Sequence, residues 1–193
     1  TLAGGLAGGI DRVVEEPHLD LVGEAGPARD VVALRHEELY RPAIDVGQGQ
    51  LEWKLRQDPR VVVLERTNAR YLESLPEPVD LVVIDVSFIS LRLILPAVAR
   101  WLAPAADVVA LIKPQFEAGP ESVGKGGIVR DAAVRRRVLE DVLGWAAGNG
   151  WGVAGLTPSS IQGTDGNVEY LAWLRPSGGS MDSIERLIED VFK

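Results

Sequence analysis

A doubly wound α/β fold on a mostly parallel sheet is the class that this sequence predicts, and three observations carry the prediction. Short apolar runs rich in β-branched residues alternate with segments of helical periodicity, as βα units require. The run from Leu81 to Ile84 is apolar on both faces, too short for a helix of its own and preceded by the turn-like Pro76-Glu77-Pro78. Such a run suits the centre of a parallel sheet. Two runs also end at charged side chains, Asp85 after Ile84 and Lys113 after Ile112. In doubly wound folds that carboxyl edge is where ligands bind.

The elements follow in order. Residues 1 to 14 open with a tandem of Leu-Ala-Gly-Gly, helical by its Leu and Ala but weakened by four glycines at about 1 kcal/mol each. His18 to Val22 reads as a short strand, and Gly23 to Pro27 as a glycine turn into a helix from about Ala28 to Glu38. That arrangement either meets a nucleotide-type ligand with backbone N–H groups or is a plain βα turn. Pro42 to Val46 is the next strand, with Asp45 near its end, followed by a helix from about Gln50 to Gln57. An acid about 20 residues beyond a glycine turn is placed to accept hydrogen bonds from both hydroxyls of an adenosine ribose. Arg60 to Leu64 is a third strand, and Asn68 in its loop stands where an adenine edge would lie.

After the central strand comes a helix from about Leu91 to Leu102, then the buried strand Asp107 to Ile112 ending at Lys113. Asp85 either caps the helix after it or faces Lys113, and two opposite charges at neighbouring strand ends favour a site. A Gly- and Pro-containing loop to about Val129 is long enough for a lid. Asp131 begins a helix to about Gly148; Trp151 to Leu156 and Val168 to Leu174 are the last strands, joined by a loop over 157–167. Ser180 caps an amphipathic helix ending near Phe192. The five tryptophans show no stacking ladder, which leaves packing as their role. Residues 119–126 match the phosphate-loop spacing, but Gly126 stands where the magnesium-binding Ser or Thr belongs, and the strand and helix do not abut it.

Composition narrows the function. The chain of 193 residues has no cysteine, so disulfides and thiol nucleophiles are excluded, and its two histidines, His18 and His36, are too isolated for a metal centre. No apolar run reaches the roughly 18 to 20 residues that span a bilayer, so a cytoplasmic protein without a membrane partner is expected. The net charge of -8 argues against gripping nucleic acid by a bulk field. Only the segment between Lys113 and Arg137, with Lys125 and Arg130, is locally basic, and a solvated helix face accounts for Arg135 to Arg137 equally well.

Five stretches together resemble the TlyA (hemolysin A) family: WKLRQDPRV at 53 to 61, IDVSFIS at 84 to 90, LIKPQFEAG at 111 to 119, VGKGGIVRD at 123 to 131 and GNVEYLAWL at 166 to 174. The resemblance implies a class I methyltransferase (Rossmann-like) fold, with a seven-stranded, mostly parallel sheet, an antiparallel last strand and helices on both faces. It implies a single FtsJ-like methyltransferase domain over residues 1–193, without the family's N-terminal S4 RNA-binding domain. It further implies transfer from S-adenosylmethionine to the ribose 2′-oxygen of ribosomal RNA, on the isolated RNA or in a ribosomal subunit, with no metal. Asp85, Lys113 and Glu169 match three members of the family's Lys-Asp-Lys-Glu tetrad. A desolvated lysine amine can act on the proton of a ribose hydroxyl while carboxylates position it. Asp20, Gly23, Gly26, Asp45, Asn68 and Asp85 fall where the family holds the cofactor, and Lys125 and Arg130 on the RNA side.

Two departures stand out. Thr1 occupies the first tetrad lysine's place, and the cofactor loop reads DLVGEAGPARD, where Glu24 adds charge and Pro27 removes an N–H. A degenerate, non-catalytic binding or scaffold module is therefore the alternative, and a small-molecule O-methyltransferase a third reading.

Overall fold

The computed structural model describes residues 31–34, 40–163, 166–176 and 181–193. The expected elements over 1–30, with Asp20, Gly23 and Gly26, and the Ser180 cap lie outside the described residues. The strands are β1 (Val31–Leu34), β2 (Arg41–Ile44), β3 (Val61–Leu64), β4 (Val79–Ile84), β5 (Leu102–Ile112), β6 (Gly152–Pro158) and β7 (Tyr170–Arg175). They form a seven-stranded sheet in the order β3-β2-β1-β4-β5-β7-β6. The helices are α1 (Trp53–Arg56), α2 (Leu91–Val98), α3 (Pro114–Glu117), α4 (Ala132–Gly148) and α5 (Met181–Val191).

β2 runs parallel to β3 and β4 parallel to β5, while β7 is antiparallel to both β5 and β6. The departure from expectation is β1. The sequence places Val31 to Leu34 in a helix, yet they form a strand antiparallel to both β2 and β4. Only the segment 35–40 separates β1 from β2, too little for the crossover of a dozen or more residues that a parallel pair needs. The β-branched pair Val31 and Val32 also fits a pleated strand better than a helix.

The helix expected over Gln50 to Gln57 is a single turn, and α2 ends at Val98, because Leu102 is already paired with Val79 in the sheet. Ser90 caps α2, its hydroxyl accepting from Arg92 N at 3.2 Å. Asp85 is therefore not the cap. Asp131 caps α4 by accepting from Ala133 N at 2.8 Å. Residues 119–126 run through a 3₁₀ turn, Pro120–Ser122, and a tight turn closed by a Gly124–Ile128 bridge, so no helix follows Lys125 as a phosphate loop requires.

Alternation along the strands separates two faces. Val82, Ile84, Val108, Ala110, Ile112, Tyr170, Ala172 and Leu174 are buried in one cluster with α2, α4 and α5. Trp101 and Trp151 join that core, whereas Trp53 and Trp173 are exposed, against the packing role expected of them. Trp173 instead donates to Asp107 at 2.7 Å and lies 4.4 Å under the Arg175 guanidinium.

Two leucines of α2 test this division. Leu95 is fully buried and Leu93 is 51% exposed. Leu95→Ala is expected to cost about 2–5 kcal/mol and Leu93→Ala about 0.5 kcal/mol or less, read as urea midpoint shifts at unchanged slope.

Candidate active site

Strand direction assembles the site. β4 and β5 are parallel, so Asp85 and Lys113, the residues after their last positions, leave the sheet at one edge. β7 is antiparallel to β5, with Tyr170 opposite Ile112, and so begins at that edge, directly after Glu169. Ile44 and Ile84 both pair with Val31, which brings Asp45 to the same edge as Asp85.

There the Lys113 Nζ lies 2.6 Å from Asp85 Oδ1 and donates to Ser87 Oγ at 3.2 Å. Glu169 is 6% exposed, and its Oε1 accepts from Gln115 Nε2 at 2.8 Å. Burial pushes the Glu169 carboxyl above the ordinary glutamate range; the Gln115 donor and the Lys113 charge oppose that rise, and the Asp85 charge adds to it. The three residues, distant in sequence, thus share one electrostatic environment. Gly163 packs against the Glu169 carboxylate so closely that a Cβ there would overlap it.

The segments carrying these groups brace one another. Glu117 accepts from Ser90 Oγ and from Leu91 N, both at 2.7 Å, which pins the start of α2 to α3. Burial raises the Glu117 pKa, opposed by those two donors and by the Arg92 charge. Phe88 stands at φ 61°, a left-handed conformation costly for an aromatic residue, and its exposed ring leans on Phe116 at 4.8 Å.

Beside the Lys113 group a cleft of about 120 Å³ opens between the ends of β2 and β4. Ile44, Val46, Val86, Ile89 and Ile94 give it apolar walls, and Thr67, Asn68 and Ser87 add polar edges. Ser87 therefore belongs to both the cleft and the Lys113 contacts. Asn68 lines the cleft while its Oδ1 accepts from Arg70 N at 3.1 Å, capping the 3₁₀ turn Ala69–Tyr71. Asp45 is 6% exposed; its Oδ1 accepts from Gly47 N, and its buried Oδ2 has no hydrogen-bond partner among the described residues.

Lys125 and Arg130 are both exposed, Lys125 at the turn between Gly124 and Ile128 and Arg130 just before α4. Neither joins the Asp85, Lys113 and Glu169 contacts. Ser87, Gln115 and Asn167 are site residues that the sequence does not single out. All three lie inside stretches that carry the family resemblance, but their roles exist only as contacts between segments distant in sequence.

The sequence signature of the FtsJ-like methyltransferase family matches residues 21–176. The chain is 46% identical over 181 residues to YqxC of Bacillus subtilis, covering 91% of this chain and 63% of that protein. It is 48% identical over 157 residues to the 16S/23S rRNA (cytidine-2′-O)-methyltransferase TlyA of Mycobacterium tuberculosis, covering 77% of this chain and 59% of TlyA. The chain thus spans about three fifths of the length of these curated relatives. A solved structure from Streptococcus thermophilus, named as a hemolysin, superposes with TM-score 0.71 at 46% identity, over 78% of this chain and 57% of its own. Family signature, identity and shared fold agree: the chain belongs to the FtsJ-like methyltransferase family, in its TlyA (hemolysin A) branch.

Proposed function

We propose that the chain transfers a methyl group from S-adenosylmethionine to a ribose 2′-oxygen of ribosomal RNA. The observation that carries this reading is the 2.6 Å contact between Lys113 and Asp85, joined through Ser87 to an apolar cleft, with Glu169 buried at the same sheet edge. Support for the substrate comes from TlyA, whose name specifies cytidine 2′-O-methylation of 16S and 23S rRNA. Such a substrate puts the reaction in the cytoplasm, and among the described residues no helix is long and apolar enough to cross a membrane.

Two features fit the cofactor. The cleft suits a flat heterocycle between its branched walls, with Asn68 at the base edge. The orphaned Oδ2 of Asp45 is a buried acceptor, costly unless a donor reaches it, and a ribose hydroxyl is such a donor. The cofactor, when bound, supplies an electrophilic methyl carbon on a sulfonium. Lys113, held by Asp85 and Ser87, orients the RNA hydroxyl and in its amine form accepts the proton as the oxygen gains its methyl group. Glu169 keeps a negative charge near that amine, and the edge as a whole acts by holding the reacting atoms in line. Lys125 and Arg130 contact phosphates.

Four outcomes test the reading. Asp45→Ala should weaken S-adenosylhomocysteine binding by about 1–3 kcal/mol in calorimetry, because it removes the ribose acceptor. No heat from the unaltered chain at millimolar ligand would instead favour a binding module. Lys113→Met should lower single-turnover methyl transfer about 10²–10⁴-fold while cofactor affinity stays near that of the parent.

The third outcome concerns pH. The raised Glu169 pKa means that its carboxylate is lost on acidification earlier than an ordinary glutamate's. The rate should therefore fall as pH drops through that raised value, and Glu169→Gln should flatten this acid limb. Fourth, charge removal at Lys125 and Arg130 together should reduce the salt slope of RNA binding by about one unit per lost phosphate contact. A slope equal to the parent's would remove them from the RNA surface.

A further inference from the structure

We propose that Asn167 is a positioning residue that locks the Lys125-bearing turn and Glu169 into one fixed relation, an inference that rests on the methyl-transfer reading for its catalytic consequence. Asn167 is 3% exposed, a rare depth for an amide side chain. Its Oδ1 accepts from Val129 N at 3.0 Å and its Nδ2 donates to Gly127 O at 3.0 Å, so one side chain satisfies two backbone groups on the stretch that follows Lys125. Its own carbonyl accepts from Gly163 N at 2.9 Å. Gly163 is the residue packed on the Glu169 carboxylate.

Glu169 stands two residues beyond Asn167, and its carbonyl accepts from Ser159 N at 2.8 Å. The Asn167 amide and carbonyl therefore reach the turn on one side and the wall of Glu169 on the other. Arg135 reinforces the first side, donating to Val129 O at 3.2 Å and Arg130 O at 2.7 Å. Gly126 and Gly127 both take positive φ, 83° and 76°, so the turn adopts a shape that its other residues would resist. Asn167 holds that shape against the start of β7. RNA phosphate caught by Lys125 is thereby kept at a set distance from the group that tunes Lys113.

Amide hydrogen exchange on the full chain tests the lock without relying on activity. Asn167→Ala should speed exchange at Val129 and also at Ser159, while Val108 in the core strand β5 is unchanged. Faster exchange at Val129 alone would overturn the proposal, because Glu169 would then not depend on Asn167. Should that variant fail to fold, Asn167→Asp keeps the acceptor for Val129 and sets an oxygen in place of the donor to Gly127 O, so faster exchange is then expected at Gly124 and Gly127 within the turn and at Ser159, and faster exchange in the turn alone would overturn the proposal.

Kinetics test the consequence. Asn167→Asp should raise the KM for an rRNA fragment and lower kcat about tenfold, with S-adenosylhomocysteine affinity unchanged. Lys125→Ala should raise KM in the parent and change it by under about twofold in the Asn167→Asp background, since the turn is no longer held. Equal effects of Lys125→Ala in both backgrounds would overturn the proposal. A parent chain that transfers no methyl group to RNA would count against the proposed function, and the exchange measurement would still decide the role of Asn167.

Discussion

A lysine amine held away from water at a sheet edge needs partners, and the structure is arranged to supply them. Taking an unpaired ammonium out of water costs several kcal/mol, and Lys113 is 9% exposed. Asp85 and Ser87 contact it, and Glu169 adds a second negative charge nearby. This grouping is possible only because β4 and β5 are parallel and β7 is antiparallel, so that two strand ends and one strand start meet. Strand direction is in this sense a precondition of the proposed chemistry.

The same edge explains why the surrounding loops are so strongly cross-braced. Loops at a sheet edge have no ladder to hold them, and a misplacement of about 1 Å at a reacting centre can cost roughly 10²-fold in rate. Glu117 pins Ser90 and Leu91, Phe116 supports Phe88 in its left-handed conformation, and Gln115 holds Glu169. Each of these residues comes from the short segment after Lys113. One turn of helix, α3, thus organises both the amine and the wall of the cleft.

Asp45 illustrates the complementary case, a polar atom without a partner among the described residues. Buried acceptors are satisfied in nearly all folded chains, so this carboxylate oxygen, between the cleft-lining Ile44 and Val46, is the acceptor that the proposed cofactor reading assigns to a ribose hydroxyl. Asn68 differs, because its side-chain oxygen is engaged in capping a 3₁₀ turn. Its contribution to the cleft is position and shape.

The sequence by itself determined the α/β class, the central strand Val79–Ile84 and the charged residues at strand ends, because burial on both faces and β-branching are local properties that strands must display. Motif order likewise pointed to Asp85, Lys113 and Glu169 before any contact was visible. Only the tertiary structure decided that Ser90, and not Asp85, caps α2, since either residue type can serve as a cap and the choice depends on where Lys113 arrives. It also decided that Val31–Leu34 pair as an antiparallel strand, since helix and strand propensities are close in so short a stretch and the edges of β2 and β4 supply the hydrogen bonds. The roles of Ser87, Gln115, Gly163 and Asn167 were likewise decided only there. Each acts through a partner more than five residues away, and no local pattern encodes which distant group a side chain will meet.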